Sequence, residues 1–521
     1  MSPSMSSQAE TAAPAPKQPI DSLFAFLGTC AVYGLLAIVL AIPSSTLSQK
    51  QLCLFLVPVI IVWLAYVYTW PGIDVVMQII CPLFYAMDVL VWRDVRGTFK
   101  RIHRSKTHTV DQPAHSSSSV TSNGHVNGVN GITSSKAAQA VKPPCHADAG
   151  IWEEPHPSTI VSRLKWSCYL ICSPRFGNWT IGDARHDAAQ LSRADKSISR
   201  PARILQLLNR FVIAYMLADI FGLWALHDPY FDWRTNLSIT SPLPPETANT
   251  LVRLLGQGKV SALAISNPRF WRVLISATPA WASIEAFFAM PGLIFLSLGG
   301  LGTVGDQWGH PAVWRPASGS LVSIADRGLR GFWGDWWHQM MRCVAGDPGK
   351  ILGNWYLRNV SQHSASSRAK GAPSTSSFHS FIAHAIHIST AFFLSGVMHA
   401  GMVPKAASSA SPLHLALFFW VQVPGILIEL FVERVFFGEP TKGQASSNTS
   451  QDRRKKSMIA KIVRFTWALF YLYTTFPFFG EQLVALRLWD MHAVPLSPCR
   501  WLFRGEGIGF WTWEPRHFAT V

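Results

Sequence analysis

Charged residues are scarce in this sequence of 521 residues. They make up 14% of the chain, whereas a typical soluble domain carries roughly 25%. Acidic residues are the scarcer kind, with Asp+Glu 29 against Lys+Arg 45, while 49% of the residues are hydrophobic. This composition is typical of a membrane protein whose basic excess lies in loops on one side of the bilayer. The sequence has no basic stripe interleaved with aromatic residues, so we do not expect nucleic acid as a partner.

Two patterns that would indicate a metal or a disulfide framework are also missing. The eight cysteines are scattered, and no second Cys or His pair lies near Cys168 and Cys172 to complete a zinc site. A membrane di-iron oxidase needs several His-rich boxes, but no His-x-x-His-His run occurs in the chain. We therefore expect neither a metal nor a bound cofactor.

Long apolar runs, by contrast, recur along the chain. Each is close to the ~20 residues that a helix needs to cross a bilayer. We predict an all-α polytopic membrane protein with about eight transmembrane helices that enclose an intramembrane chamber. The predicted spans are residues 22–42, 51–69, 72–92, 204–226, 271–298, 378–403, 412–437 and 460–480.

The polar segments between the spans divide the chain into regions. A disordered tail precedes the first three spans, and a long basic loop with a Ser/Asn/Gly-rich insertion separates them from the core. The predicted regions are the N-terminal tail 1–20, the first spans 21–92, the loop 93–203 with its insertion at about 105–145, the core 204–490 and the C-terminal tail 491–521.

Basic loops after residue 92 and at 442–461 predict the orientation of the chain. Loops rich in Lys and Arg face the cytoplasm, and the count of spans puts both loops on the same side. Residues 227–270 are then luminal. We predict glycosylation at Asn236, which begins an Asn-x-Ser sequon in this luminal segment. The sequons at Asn178, Asn359 and Asn448 fall on the cytoplasmic side.

A cluster of three tryptophans stands out in the core, in the run Gly331-Phe-Trp-Gly-Asp-Trp-Trp-His-Gln339. Helical spacing over residues 332–342 predicts that Asp335 lies beside His338 and Gln339 on one face, with the tryptophans around the rest. The segment is too short to span, so we predict a re-entrant or interfacial helix. Composition alone favours a helix anchored by tryptophan at the headgroup level, with its polar side in water.

The second unusual segment is one predicted span that contains four histidines. His384 and His387 share a face and are interpreted as core histidines, while His399 lies at depth within Phe393-Leu-Ser-Gly-Val-Met-His399. The small residues around it allow another group to approach the backbone closely. An ionisable residue inside a span is a candidate functional residue, and an imidazole is suited to take up a proton near neutral pH.

These two segments together resemble the membrane-bound O-acyltransferase superfamily. The first resembles the Phe-Trp-Gly-Arg-Arg-Trp-His motif of the wax-synthase-like branch and the Phe-Tyr-x-Asp-Trp-Trp-Asn motif of sterol and diacylglycerol acyltransferases. The second resembles the segment that holds the near-invariant histidine of the family. The chain departs from the first pattern at Asp335 and Trp336, and from the second pattern at His338.

The resemblance implies an acyl-CoA-dependent O-acyltransferase in the endoplasmic reticulum membrane, with acyl-CoA as co-substrate and no bound cofactor. The wax-synthase-like pattern is similar to that of fungal enzymes that acetylate a terpenoid or meroterpenoid alcohol in secondary metabolism. Acylation of a long-chain alcohol or a sterol is the alternative. A membrane transporter is the alternative from a different class, although the sequence has no clear inverted repeats.

The same resemblance implies roles for the motif residues. His399 is expected to act as the general base, and His338 to donate a hydrogen bond to the thioester carbonyl or to the leaving thiolate. Supporting roles are expected for Asp335, Trp333, Trp337 and Gln339. The expected partners are membrane lipid, acyl-CoA and a hydrophobic alcohol.

Overall fold

The computed structural model is predominantly helical, as predicted. It describes residues 19–48, 77–104, 151–173, 198–226, 228–337, 342–365, 377–403, 409–437, 450–489 and 494–504, with residues 176, 179–181 and 339 and parts of 50–62. The helices are α1 Pro19–Ala41, α2 Met77–Met87, α3 Val95–Thr98, α4 Ile160–Ile171, α5 Arg200–Ala225, α6 Pro245–Leu255, α7 Lys259–Ser266, α8 Pro268–Gly300, α9 Asp306–Gly309, α10 Val322–Gly331, α11 Arg342–Ala365, α12 Ser377–Ala400, α13 Pro412–Trp420, α14 Gln422–Phe437, α15 Ser450–Thr475, α16 Pro477–Ala485 and α17 Pro498–Arg504. Two π-helical turns, Asp88–Trp92 and Phe332–Trp336, extend α2 and α10, and a 3-10 turn covers Pro229–Phe231.

Four helical stretches in the described part of the chain are long and apolar enough to cross a membrane. They coincide with four of the eight predicted spans, and the protein is an integral membrane protein. These stretches are Arg200–Ala225, Pro268–Gly300, Phe378–Ala400 and Pro412–Val435.

The other four predicted spans are not confirmed. Residues 51–69 lie mostly outside the described residues. The spans at 22–42 and 72–92 contain the shorter apolar helices Cys30–Ala41 and Pro82–Trp92. The span at 460–480 is divided between α15 and α16, and Pro477 begins the second helix.

A small antiparallel sheet lies in the segment that the sequence predicts as a loop, so the chain is not all-α. Strand β1 (Phe99–Arg104) is central and pairs with β2 (Ile151–Glu154) and β3 (Trp179–Ile181). Trp166 of α4 and Trp179 of β3 are each 1% exposed, and their rings meet edge to face with centroids 4.8 Å apart. These two tryptophans therefore fill the core of this unit.

The core of the protein brings α10, α11, α12 and α14 around a common space. Helix α11 packs closely along α12 because glycines face the contact: a Cβ at Gly353 would lie 2.7 Å from the carbonyl oxygen of Ala383. Helices α5 and α8 pack against each other on another side and support residues 312–319, which precede α10. This arrangement places both sequence motifs beside the common space.

Candidate active site

The helix that carries the tryptophan-rich motif ends inside the motif. After α10, the chain forms a π-helical turn over Phe332–Trp336, and Trp337 is extended, with φ −63° and ψ 141°. The next α-helix of the described residues begins at Arg342. The predicted continuous helix over 332–342 is therefore wrong, and the helical face that the spacing predicts for Asp335, His338 and Gln339 does not form. His338 itself lies outside the described residues.

A sharp bend in α10 precedes the π-helical turn and is held by α14. Gly328 has φ +61°, and a Cβ there would lie 2.7 Å from a carboxylate oxygen of Glu429. The backbone N–H of Leu329 donates to Oε2 of Glu429 at 2.8 Å. Arg330 contacts both Glu429 and Glu433. Only glycine combines this left-handed conformation with so close an approach, so the bend is specified by the sequence.

Trp333 is fixed by hydrogen bonding and by aromatic packing. Its Nε1–H donates to Oε1 of Gln422 at 3.3 Å, and its ring meets Phe392 edge to face with centroids 5.4 Å apart. Gln422 is fully buried and donates in turn to the carbonyl of Phe418 at 2.9 Å and to Oγ1 of Thr475 at 3.0 Å. The buried amide thus sets the direction of the Trp333 indole.

Asp335 and Gln339 make different kinds of contact. Oδ2 of Asp335 accepts from Nη1 of the half-exposed Arg327 at 2.6 Å. The side-chain amide of Gln339 donates to the carbonyl of Trp337 at 2.9 Å, and its backbone N–H donates to the carbonyl of Ala317 at 2.9 Å. His338 lies outside the described residues, so the predicted contact between Asp335 and His338 stays a prediction.

A cavity of about 310 Å³ lies between the two motifs. Four of the predicted site residues line it, namely Trp333, Asp335, Trp337 and Gln339. The other lining residues are Arg327, Arg330, Gly334, Ala345, Gly346, Lys350, His384, His387, Ile388, Ala391, Phe392, Ser395, Phe419 and Ile426. The wall therefore combines aromatic rings with three cationic side chains, which composition and spacing alone had not singled out.

His399 occupies the last turn of α12, and its hydrogen bond defines its tautomer. Nδ1 lies 2.8 Å from the carbonyl oxygen of Ser395. Because a carbonyl oxygen can only accept, Nδ1 carries the proton and Nε2 of the neutral ring keeps its lone pair. The ring stacks on Phe419 with centroids 4.0 Å apart. Ser395 and Phe419 line the cavity, whereas His399 lies directly behind them.

The other histidines of α12 divide into two kinds. Nδ1 of His379 lies 2.9 Å from the hydroxyl of Tyr356, away from the cavity. His384 and His387 line the cavity, with ring centroids 5.9 Å apart. Within the described ranges, no group of three or more His, Cys, Asp or Glu side chains is placed to hold a metal ion.

The sequence predicts that another group approaches the backbone closely at the small residues before His399, and Gly396 is the site of such a contact. A Cβ at Gly396 would lie 2.8 Å from Cδ1 of Trp420, which is closer than real Cβ contacts come. The Trp420 indole in turn donates to the carbonyl of Phe393 at 3.4 Å. Helix α13 therefore packs directly on the backbone of α12 at this turn and holds the end of α12 that carries His399.

Comparison with known proteins identifies the same region. Residues 314–421 match the model of the membrane bound O-acyl transferase family, and this stretch contains both motifs. The acetyltransferase eriL of Hericium erinaceus is 24% identical over 353 residues, which are 67% of this chain and 74% of that protein. The acetyltransferase ple2 of Rhodocybe pseudopiperita is 25% identical over 243 residues, 47% of this chain and 49% of that protein. No solved structure gives a significant match.

The family match and the two relatives agree with the four apolar helices and with the placement of both motifs at one cavity. Residues 314–421 are thus similar to the membrane bound O-acyl transferase family, and the two relatives that match over longer stretches are acetyltransferases.

Proposed function

We propose that the protein transfers an acetyl group from acetyl-CoA to the hydroxyl group of a hydrophobic alcohol of the terpenoid or meroterpenoid class. The observation that carries this proposal is the tautomer of His399, whose Nδ1–H donates to the Ser395 carbonyl at 2.8 Å. This bond leaves Nε2 able to accept a proton beside a cavity walled by aromatic rings. A base in such a setting can activate an alcohol while water is largely excluded.

In the proposed reaction, Nε2 of His399 takes the proton of the alcohol as its oxygen attacks the thioester carbonyl. The C–O bond forms, the carbonyl oxygen becomes an oxyanion, and a donor such as His338 stabilises it; one donor of this kind is typically worth ~10²–10³-fold in turnover. The intermediate then releases the thiolate of CoA as the C–S bond breaks. The imidazolium returns its proton to that thiolate, so the ester, free CoA and neutral His399 are restored.

Acetyl is proposed as the transferred group on two grounds. Both named relatives are acetyltransferases. The cavity of about 310 Å³ is near the lower limit of the ~300–1,000 Å³ that is usual for small-molecule sites. A long acyl chain would need additional volume, so the alternative of wax or sterol ester synthesis receives less support.

Coenzyme A as the carrier is supported by the charges around the cavity. Three cations, Arg327, Arg330 and Lys350, line it together with one carboxylate, Asp335. Guanidinium and ammonium groups are the usual partners of phosphates in proteins. Each cation already contacts a carboxylate, so the phosphates of the donor would join existing pairs rather than meet free charges.

The first test compares His399→Ala and His338→Ala with the unaltered protein in microsomes. Labelled acetyl-CoA and longer acyl-CoAs are offered with a panel of terpenoid, fatty and sterol alcohols. Loss of a general base is expected to lower turnover ~10²–10⁴-fold. The matched control is His414→Ala, which removes an exposed histidine of α13. Full activity of the His399 variant would eliminate the assignment of the base.

The second test concerns the carrier. Lys350→Gln removes one cation from the cavity but leaves the aromatic wall in place. We expect a higher KM for acetyl-CoA and an unchanged KM for S-acetyl-pantetheine, which has no phosphate. An equal change for both donors would mean that Lys350 does not contact a phosphate of the carrier.

A further inference from the structure

We propose that Glu285 is a positioning residue for the active-site segment 336–339, on which it acts through Ser318. This inference rests on the proposed function, because that segment contains the predicted donor His338. Glu285 lies in α8, outside the tryptophan-rich motif and outside the region that matches the family model. No feature of the sequence indicates a role for it except that it is a carboxylate within an apolar span.

The carboxylate of Glu285 is buried and fully used. It is 1% exposed, and its Oε1 accepts from Nη1 of Arg210 at 2.9 Å. Its Oε2 accepts from both the backbone N–H and the hydroxyl of Ser318, at 2.9 Å and 2.7 Å. A buried carboxylate is costly unless such partners satisfy it. Two of the three contacts join Glu285 to Ser318, and the third joins it to Arg210.

The backbone N–H, the carbonyl and the hydroxyl of Ser318 all form hydrogen bonds. Its hydroxyl accepts from Nε1 of Trp281 at 2.8 Å, and its carbonyl accepts from the same Nη1 of Arg210 at 3.0 Å. The ring of Trp281 in turn stacks with that of Trp336, with planes 15° apart. Helices α5 and α8 thus fix both the backbone and the hydroxyl of this residue.

The residues on either side of Ser318 hold the motif by its backbone. The N–H of Gly319 donates to the carbonyl of Trp336 at 2.9 Å, and the carbonyl of Ala317 accepts from the N–H of Gln339 at 2.9 Å. These two bonds bracket Trp337 and His338. Because Trp337 is extended, these bonds contribute to the positions of Trp336, Trp337 and Gln339 beside the cavity.

Glu285 therefore contacts the cavity wall indirectly: it binds Ser318, and the neighbours of Ser318 bind the backbone of Trp336 and Gln339. An amide in place of this carboxylate has one oxygen instead of two, so it cannot accept from Ser318 and from Arg210 at the same time. Ser318 would then shift, and Trp336 and Gln339 would shift with the residues on either side of it. A misplacement of about 1 Å at a reacting group can lower turnover roughly 10²-fold. The role is one of positioning, since Glu285 does not line the cavity.

The test combines kinetics with a structural measurement that does not depend on activity. In Glu285→Gln we expect kcat for acetyl transfer to fall roughly 10- to 10²-fold, with little change in KM for acetyl-CoA. Hydroxyl-radical footprinting read by mass spectrometry should find more labelling of the peptide around residues 332–339. Ser318→Ala, which keeps the pair between Glu285 and Arg210, should give the same two changes if Glu285→Gln does not accumulate.

The matched control is Asp219→Asn, a second buried carboxylate in a span. Asp219 accepts from the backbone N–H of Cys499 at 2.9 Å, a bond to the C-terminal helix α17. We expect its footprint over 332–339 to stay as in the unaltered protein. Equal kinetic loss in both variants with no local change in footprint would overturn the inference.

The two proposals fail in different ways. If the footprint of Glu285→Gln changes while the unaltered protein transfers acetyl from no acyl-CoA, then the positioning role stands and the proposed function fails. If the unaltered protein is active and Glu285→Gln has unaltered kcat and footprint, then the positioning role fails and the proposed function stands.

Discussion

His399 stacks its imidazole on the ring of Phe419, with centroids 4.0 Å apart and planes 29° apart. The same phenylalanine lines the cavity and lies 5.9 Å from the ring of Trp333. Phe419 therefore separates the predicted base from the space in which the thioester would lie. For Nε2 of His399 to reach an alcohol, the alcohol has to pass beside this ring or the ring has to turn aside.

Removal of the Phe419 ring should uncouple acetyl transfer from hydrolysis. A stacked aromatic pair contributes about 0.5–1.5 kcal/mol beyond its burial, so we expect Phe419→Ala to lower transfer roughly two- to tenfold. Water that enters the opened space should also release CoA without product. The ratio of free thiol to acetylated alcohol measures this effect. Phe478→Ala, which removes a partly exposed ring stacked on His414, is the control, and an unchanged ratio in Phe419→Ala would contradict the shielding role.

Gln422 should be required for both stability and turnover. Gln422→Leu leaves the indole N–H of Trp333 and the hydroxyl of Thr475 without this buried partner, and an unsatisfied buried polar group costs about 1–3 kcal/mol. We expect a lower unfolding temperature in detergent and slower transfer.

A double-mutant cycle measures how much of the effect of Gln422 depends on its hydrogen bond with Trp333. Trp333→Phe removes the indole N–H, so in this background Gln422→Leu should cost less than it does alone. Gln422→Glu retains an acceptor for the indole and should be milder than Gln422→Leu. Strict additivity of Trp333→Phe and Gln422→Leu would mean that the bond between these side chains does not orient the indole.

The parts of the fold that were predictable are those that depend on hydropathy alone. The span at 271–298 coincides with α8 because a membrane helix needs only length and apolar side chains. The residues of the tryptophan-rich motif also meet the His399 helix at one cavity, as their chemistry suggested. Roles for individual site residues remain predictions that the kinetic tests above address.

The parts that were not predictable depend on contacts that are distant in sequence. Helical spacing over 332–342 fails because Trp337 is extended and the segment is held by hydrogen bonds to Ala317 and Gly319. The spacing of residues within 332–342 cannot reveal Ala317 or Gly319 as partners, because both lie outside that stretch. Trp166 and Trp179 lie in a segment that is predicted as a loop, but they pack on each other inside a small unit with a sheet.

The ion pair between Asp228 and Arg272 should stabilise the fold without taking part in catalysis. Arg272 is fully buried, and it contacts both carboxylate oxygens of Asp228, at 2.8 Å and 3.0 Å. Removal of one partner of a buried pair costs about 3–5 kcal/mol, so Asp228→Ala should lower the unfolding temperature sharply. The fraction that folds should keep its kcat.

The control for this pair is Asp232→Ala, which breaks an exposed contact with Arg234 at 2.9 Å. Exposed pairs are typically worth about 0.2–1 kcal/mol, so its unfolding temperature should change little. A comparable fall in unfolding temperature in both variants would mean that burial does not make the pair between Asp228 and Arg272 more stabilising than an exposed pair. The comparison is made in the same detergent and at the same protein concentration.

The predicted orientation of the chain in the membrane implies that Asn236 is glycosylated. This residue and Ser238 are exposed in the turn between α5 and α6, and only a luminal asparagine in a sequon receives a glycan. We expect endoglycosidase treatment to increase the gel mobility of the protein, and we expect Asn236→Gln and Ser238→Ala to abolish that change. Ser238→Thr preserves the sequon and should restore it. A glycan on Asn448 together with an unmodified Asn236 would mean that the predicted orientation is inverted, because the loop at 442–461 would then be luminal.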